Sequence, residues 1–360
     1  MDDRRTEAPD MERKFSVWPD GEKAQGEALF EALWREDGNA QRRPVHTNGI
    51  GVRGHFIASP VARSYCVAEH FGGDRIEVTG RFSNGSGADR LHDGWTDVRG
   101  LAIRFHLTGG TEARSTDLLA MTLPAFFAPE PRSAWDFINA AHQEPYDREG
   151  AWDKVKDYLQ MMLPRRNPYP GETTNADKGG FEYANKNLFA QLPTFGAATI
   201  GAPASYARAA YHAVHTFVVT GSDDVDRYVR FTWQPVSGVQ PAHDNDPPRD
   251  AFLQDELRER LAGDGKAEFS LMMQLGDIGD DFDDCSRPWP PHRVRIMMGT
   301  LTITDVAEDQ EADSEKLSFN PWLLTPGIAP SGDPILKARR DAYRASSENR
   351  HATPCPFAKD

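Results

Sequence analysis

Through the middle of this chain, apolar positions alternate with polar ones. "RIEVTGRFS" (75–83) sets Ile76, Val78 and Gly80 against Glu77 and Thr79, and "RGLAIRFHL" (99–107) puts Leu101, Ile103, Phe105 and Leu107 on one face. That period of two predicts half-buried strands. "STDLLAMTL" (115–123), "HTFVVTG" (215–221), "RYVRFTWQPV" (227–236), "EFSLMMQLG" (268–276) and "HRVRIMMGTLTIT" (292–304) read as further strands. Gly- and Asp-containing turns between them predict antiparallel connections.

Helical spacing is confined to fewer stretches. "KAQGEALFEALWR" (23–35) clusters Leu29, Phe30, Leu33 and Trp34 on one side. Residues 133–142, 147–163 and 249–262 read as helices, and a last one starts near Pro334. The Gly-, Asn- and Pro-rich stretch 165–200 is expected to wrap the surface, and residues 1–20 to form a disordered tail. Strands without regular βαβ alternation predict an α+β chain, an antiparallel barrel or sandwich with added helices. With no repeat and no strong linker, residues 21–360 are read as one domain.

Composition narrows the functional classes. At 39% hydrophobic residues the chain can build a substantial core. Its 55 acidic and 41 basic residues give a formal charge of −14, which disfavours nucleic-acid or anionic-membrane partners. No apolar run approaches a spanning length of roughly 18 residues. Cys66, Cys285 and Cys355 are scattered and odd in number, which suits a reducing compartment, and the cytoplasm is the expected location.

Three stretches carry candidate chemistry. In "QRRPVHTNGIGVRGHF" (41–56), His46 stands before Gly49, Gly51 and Gly54. Glycines allow close backbone approach, and a histidine there can move protons, although an ordinary loop histidine is the plainer account. Arg81 and Ser83 are two apart and share a face if they lie on a strand. Near the C-terminus, Arg339 and Tyr343 are spaced i, i+4, on one side of a helix. A permanently charged guanidinium beside a phenol can prepare a phenolate for a hard Lewis acid such as ferric iron. Taken alone, a surface helix with a snorkelling arginine is the plainer account of the pair. The acidic run "GDIGDDFDDC" (276–285) lacks the ligand order of a calcium loop and reads as solvated. Neither G-x-S-x-G nor HExxH occurs.

Taken together and in order, several fragments resemble the haem catalase family. They are "RPVHTNGIGVRGHF" (43–56), "RFS" (81–83), "DVRGLAIRFH" (97–106), "LPAFF" (123–127), "YHAVHTF" (211–217) and "LSFNPWLLTPGIAPSGDPILKARRDAY" (317–343). The resemblance implies an eight-stranded antiparallel β-barrel with surrounding helices, holding haem b. It implies Tyr343 as the axial iron ligand, held as phenolate by Arg339, with His215 and Asp333 continuing a hydrogen-bonded chain behind it. It implies Arg43, Arg81 and Arg350 as partners of the haem propionates, His46 as distal acid-base group, and Ser83 as the residue fixing its tautomer. Phe319 matches a haem-packing position; Phe126, Phe127 and Phe137 are expected to line the pocket.

Two departures shape the expected activity. The family's distal asparagine pair is replaced by Met121-Thr122, and neither side chain copies an amide donor. The chain is also short for the family, which weakens the case for an interwoven tetramer and for NADPH; a homodimer is the assembly carried forward. The expected function is therefore a haem-dependent peroxidase reducing hydrogen peroxide or organic hydroperoxides with a small organic donor, with weak catalase activity. Fatty-acid hydroperoxide rearrangement, as in allene oxide synthases, and a non-enzymatic haem-binding or sensing module are the alternatives.

Overall fold

The computed structural model describes residues 14–33, 43–87, 93–94, 96–108, 114–142, 180–242, 251–310 and 314–350. Nine strands form one sheet: β1 Gly49–Ala58, β2 Arg75–Asn84, β3 Arg99–Leu107, β4 Arg114–Met121, β5 Tyr211–Thr220, β6 Asp226–Pro235, β7 Ala267–Leu275, β8 Arg295–Val306 and β9 Ile328–Pro330. Their order is β4-β3-β2-β1-β8-β7-β6-β5-β9, and a further β4–β5 pairing closes an eight-stranded antiparallel barrel. The short β9 lies on β5 outside that ring.

Helices surround the barrel: α1 Glu22–Leu33, α2 Ala62–Tyr65, α3 Pro131–His142, α4 Gly180–Lys186, α5 Leu188–Thr199, α6 Phe252–Arg260 and α7 Pro334–Asn349. Among the described residues no helix is long and apolar enough to cross a membrane.

The alternating strands fold as their pattern predicts. Leu101, Ile103, Phe105 and Leu107 are all buried, and so are Ile76 and Val78. They meet Phe56, Phe71 and Trp233 inside the barrel, where Phe56 packs edge-on against Phe105 at 5.3 Å. The alternation of β2 ends at Arg81, beyond which both faces are covered. That doubly buried end carries the site.

The sequence pattern left two stretches without an element, and one expectation needs correction. The glycine-rich stretch after His46 is a full strand, β1, paired with both β2 and β8. The stretch 165–200 holds α4 and α5 within its described part. The tail expected to end at residue 20 touches the fold from Lys14: Lys14 pairs with Glu27 at 2.8 Å at the surface, and Trp18 meets Trp135 at 5.8 Å. The expected helix at 147–163, and Cys355, lie outside the described residues. The acidic run at 276–285 is partly neutralised by Arg293, which pairs with Asp277 at 3.1 Å and Asp280 at 2.9 Å.

Candidate active site

His46 precedes β1 and adopts φ 57°. A left-handed backbone is uncommon for a non-glycine residue and costs of order 1–3 kcal/mol. Two contacts hold it. The His46 amide donates to Gly85 O at 3.1 Å, and Arg81 Nη1 donates to His46 O at 2.8 Å. Ser83 Oγ lies 3.0 Å from Nδ1, which leaves Nε2 as the nitrogen able to exchange a proton with a ligand. The ring rests over a cross-strand row in which Ser83 pairs with Gly100 and Gly100 with Met121. A side chain at Gly100 would begin 2.9 Å from the His46 ring, so only glycine lets β3 back it this closely.

Burial lowers the His46 pKa to about 3, helped by the positive charges of Arg81, Arg339 and Arg43. The imidazole is therefore a neutral base throughout the physiological range. The influence of Arg339 on His46 ties this side of the site to α7.

The second half of the site is a relay. Arg339 Nη2 donates to Tyr343 Oη at 2.7 Å, and Arg339 Nη1 lies 2.7 Å from His215 Nε2. His215 Nδ1 lies 2.6 Å from Asp333 Oδ2. A guanidinium has no acceptor, so His215 Nε2 must accept. The proton of a neutral imidazole then sits on Nδ1 and points at the Asp333 carboxylate. Burial, opposed by Asp333, lowers the His215 pKa, in agreement with that tautomer. Asp333 also caps α7: its Oδ1 accepts from the Ile335 amide at 2.8 Å and the Leu336 amide at 3.2 Å. Pro334 at the first helical position suits this start. His215 sits where the β5–β6 register shifts between Ala213 and Phe217.

The third component is basic. Arg43, Arg81 and Arg350 converge on the segment Ser314–Leu317. Arg43 Nη1 and Arg81 Nη2 each meet a different oxygen of Glu315, at 3.1 and 2.8 Å. Arg350 Nη1 donates to the Glu315 carbonyl. Burial lowers the Arg350 pKa to about 10, against the pull of Glu315. Burial also depresses Arg43, reinforced by Arg81 and Arg350.

The remaining expected residues are distributed around this frame. Phe126 lies nearer the relay than Phe127 does: its ring is 6.4 Å from His215, and Arg339 stands over it at 5.9 Å. Phe127 stacks on Phe126 at 4.1 Å, and Phe137 lies behind Phe127 at 4.8 Å, leading toward Tyr183 on α4. Phe319 is buried against Arg104. The Thr122 hydroxyl accepts from the Arg99 amide at 3.0 Å, so its oxygen already serves the sheet. Met121 pairs with His212 where the barrel closes.

Two further groups escaped the sequence reading. Glu315 stands in the polar run "EDQEADSEK" (308–316), where nothing local marks it. Cys285, buried, lies within 4.8 Å of the His215 and Asp333 donor atoms, and burial raises its thiol pKa far above the ordinary range. A lone cysteine in a Pro- and Asp-rich loop gives no signal of such a neighbourhood.

A family model described as Catalase matches residues 28–164 and 165–355. The chain belongs to the catalase family. Among its relatives, the "Catalase-related peroxidase" of Mycolicibacterium paratuberculosis is 31% identical over 88% of this chain and 92% of its own length. One of the same name from Synechococcus elongatus is 27% identical, over 87% and 84%. "Catalase-2" of Bacillus subtilis is 28% identical over 88% of this chain, which spans 46% of that longer protein. Among solved structures, a fungal catalase superposes with a TM-score of 0.68 at 22% identity, covering 87% of this chain and 60% of that one. Catalase A from Saccharomyces cerevisiae gives 0.68 at 20%, covering 86% and 61%. This likeness is one of fold, and it matches the closed barrel described above.

The donor set fits the haem on which the catalase family depends. A phenol oxygen that accepts from a guanidinium has the donor chemistry that iron takes, and a neutral imidazole held by Ser83 supplies a base. Two arginines of the cradle, Arg43 and Arg81, already grip one carboxylate, Glu315, so the cradle has the chemistry to take carboxylates.

Proposed function

We propose that this chain is a small haem b peroxidase of the catalase family, a single haem domain over residues 21–360. It reduces hydrogen peroxide or an organic hydroperoxide with a small organic donor and retains weak catalase activity. The observation that carries the reading is the Tyr343–Arg339–His215–Asp333 relay joined in one site to a His46 pinned by Ser83. Haem, when bound, supplies the redox chemistry that takes two oxidising equivalents from the peroxide. Tyr343 would hold the iron through its oxygen, and Arg339 would donate its hydrogen bond to that oxygen. Arg43, Arg81 and Arg350 would meet the propionates, with Phe126, Phe127 and Phe319 packing nearby.

His46 does the proton work. As a neutral base it takes the proton of the peroxide oxygen on Nε2 and returns it to the departing oxygen, which leaves as water or an alcohol. Ser83 keeps Nδ1 engaged, so the ring cannot turn its lone pair away. Dismutation needs a second peroxide to be oriented, and this task falls to polar groups. Met121 offers only a weak acceptor, and the Thr122 hydroxyl, anchored by the Arg99 amide it accepts from, has a single O–H to donate. That poverty of donors favours an organic reductant over a second peroxide.

The test compares oxygen release with oxidation of a phenolic or dye donor by purified holoprotein. Donor oxidation is expected to dominate; oxygen release at the rate of a large catalase would reject the peroxidase emphasis. Tyr343→Phe is expected to lose or destabilise haem, seen in the absorption spectrum. His46→Ala is expected to keep haem and lose at least about a hundredfold in its reaction with peroxide, the scale of general acid-base catalysis. Equal haem loss in both variants would undo this division of labour.

A further inference from the structure

Glu315 is surrounded by more charge than a surface glutamate requires. Its two oxygens bridge two guanidiniums, Arg81 at 2.8 Å and Arg43 at 3.1 Å, while its carbonyl accepts from Arg350. The arginines are fixed from other sides as well. Arg43 Nη2 donates to Ser314 O and Leu317 O, both at 2.7 Å. Arg81 donates through Nε to Ser314 Oγ at 3.0 Å and through Nη2 to Thr47 O at 3.0 Å. The Arg81 side chain is 3% exposed, and Arg43 is 12% exposed. Gly49 makes room for this packing, since a Cβ there would stand 2.5 Å from Arg81 Cζ. Arg81 and Arg43 hold the Glu315 carboxyl below its usual range against the effect of burial. It is therefore an anion.

We infer that Glu315 is the positioning residue of the haem cradle: its carboxylate locks Arg43 and Arg81 in their grip and leaves three guanidiniums and one carboxylate to face the two haem carboxylates. Three positive charges less one negative leave two, the charge that two propionates neutralise. Buried like charges this close cost energy unless paired, and an anion between them both pays that cost and fixes the direction of each guanidinium fork. Glu315 stays in place when haem binds; it acts on the haem only through the arginines. The inference rests on the haem reading above.

Haem loss from the purified holoprotein to excess apomyoglobin measures the grip. Glu315→Gln is expected to lose haem about tenfold faster than wild type, and Glu315→Asp, whose shorter carboxylate cannot span both guanidiniums, to fall between them. A tenfold change corresponds to about 1.4 kcal/mol. The full-length chain loaded with the dimethyl ester of haem supplies the control. With no propionate charge to grip, wild type and Glu315→Gln are expected to release that ester at equal rates. A Glu315→Gln protein that holds haem as long as wild type overturns the inference. One that holds it longer overturns it too, by showing that the carboxylate competes with the propionates. So does an equal acceleration with the ester, which would mark a general loss of packing. Should Glu315→Gln fail to fold, Glu315→Asp decides by the same comparison. A wild-type chain that takes up no haem at all would instead sink the functional reading.

Discussion

Two buried histidines, alike in their suppressed basicity, do opposite things for this protein. His46 is brought near pKa 3 by burial and by guanidiniums that the site needs anyway. Its reaction with peroxide should therefore be independent of pH from about 8 down to about 5, measured by rapid mixing, because the base is never consumed by protonation. His70 is buried in the barrel beside Phe71 and Phe105, with no partner for Nδ1, next to a cavity of about 20 Å³. Burial alone lowers it to about 3. The unfolded value is about 6.5. Between the two, the unfolded chain binds a proton that the folded chain refuses, so stability present above pH 6.5 is lost as pH falls toward 3. His70→Phe removes an unpaired polar atom and that proton together. It is expected to stabilise the protein by roughly 1–3 kcal/mol and to flatten the acid slope of the urea midpoint by one proton. An unchanged slope would mean that the folded ring takes up its proton after all.

At the scale of elements, Asp333 binds the start of a helix to the relay behind Tyr343. One oxygen caps α7, and the other receives His215. The two duties can be separated. Asp333→Asn keeps a capping oxygen but loses the anion; Asp333→Ala loses both. The alanine variant should be less stable than the asparagine one by about 1 kcal/mol in chemical denaturation, the ordinary worth of an N-cap. Both should alter the haem spectrum by disturbing Arg339. The Arg339–Tyr343 pair was legible from its spacing, but His215 and Asp333 were hidden except through resemblance, because His215 on β5 lies over a hundred residues from its partners at α7. Elements were legible where their period was. β2 and β3 alternate apolar and polar residues and were read directly, whereas β1 carries Gly49, Gly51 and Gly54, which blank the apolar signal. Gly54 is there because a Cβ would stand 2.1 Å from Thr302 O on β8. α5 was obscured by Pro193 in its interior. Arg81 and Ser83 did share a face, as their spacing required, because Phe82 between them turns into the barrel. Glu315 stayed unread because its meaning lies in three arginines brought from three distant parts of the chain.

For the molecule as a whole, a buried ion pair ties the barrel to the segment that follows Glu315. Arg104 on β3 meets Asp117 on β4 through two contacts of 2.7 Å, and the same pair holds Ser318 O and the Asn320 amide. Arg104→Met would strand a buried carboxylate and is expected to cost about 3–5 kcal/mol. Replacing both residues together, as Arg104→Met with Asp117→Leu, should recover most of that in a denaturation experiment. Recovery of fold stability without recovery of haem affinity would show that the pair also positions the Ser318–Asn320 segment.

The barrel is sewn unevenly. β4 and β5 meet at one rung, Met121 with His212, whereas β1 and β2 share nine. A cylinder joined so lightly along one line has a slit, and local opening there costs fewer hydrogen bonds than anywhere else on its circumference. Backbone amides flanking that line should trade hydrogen for deuterium earliest of all the wall, and the residue at the slit, Met121, belongs to the candidate site itself. The cross-strand row that backs His46 thus ends on the cylinder's softest line.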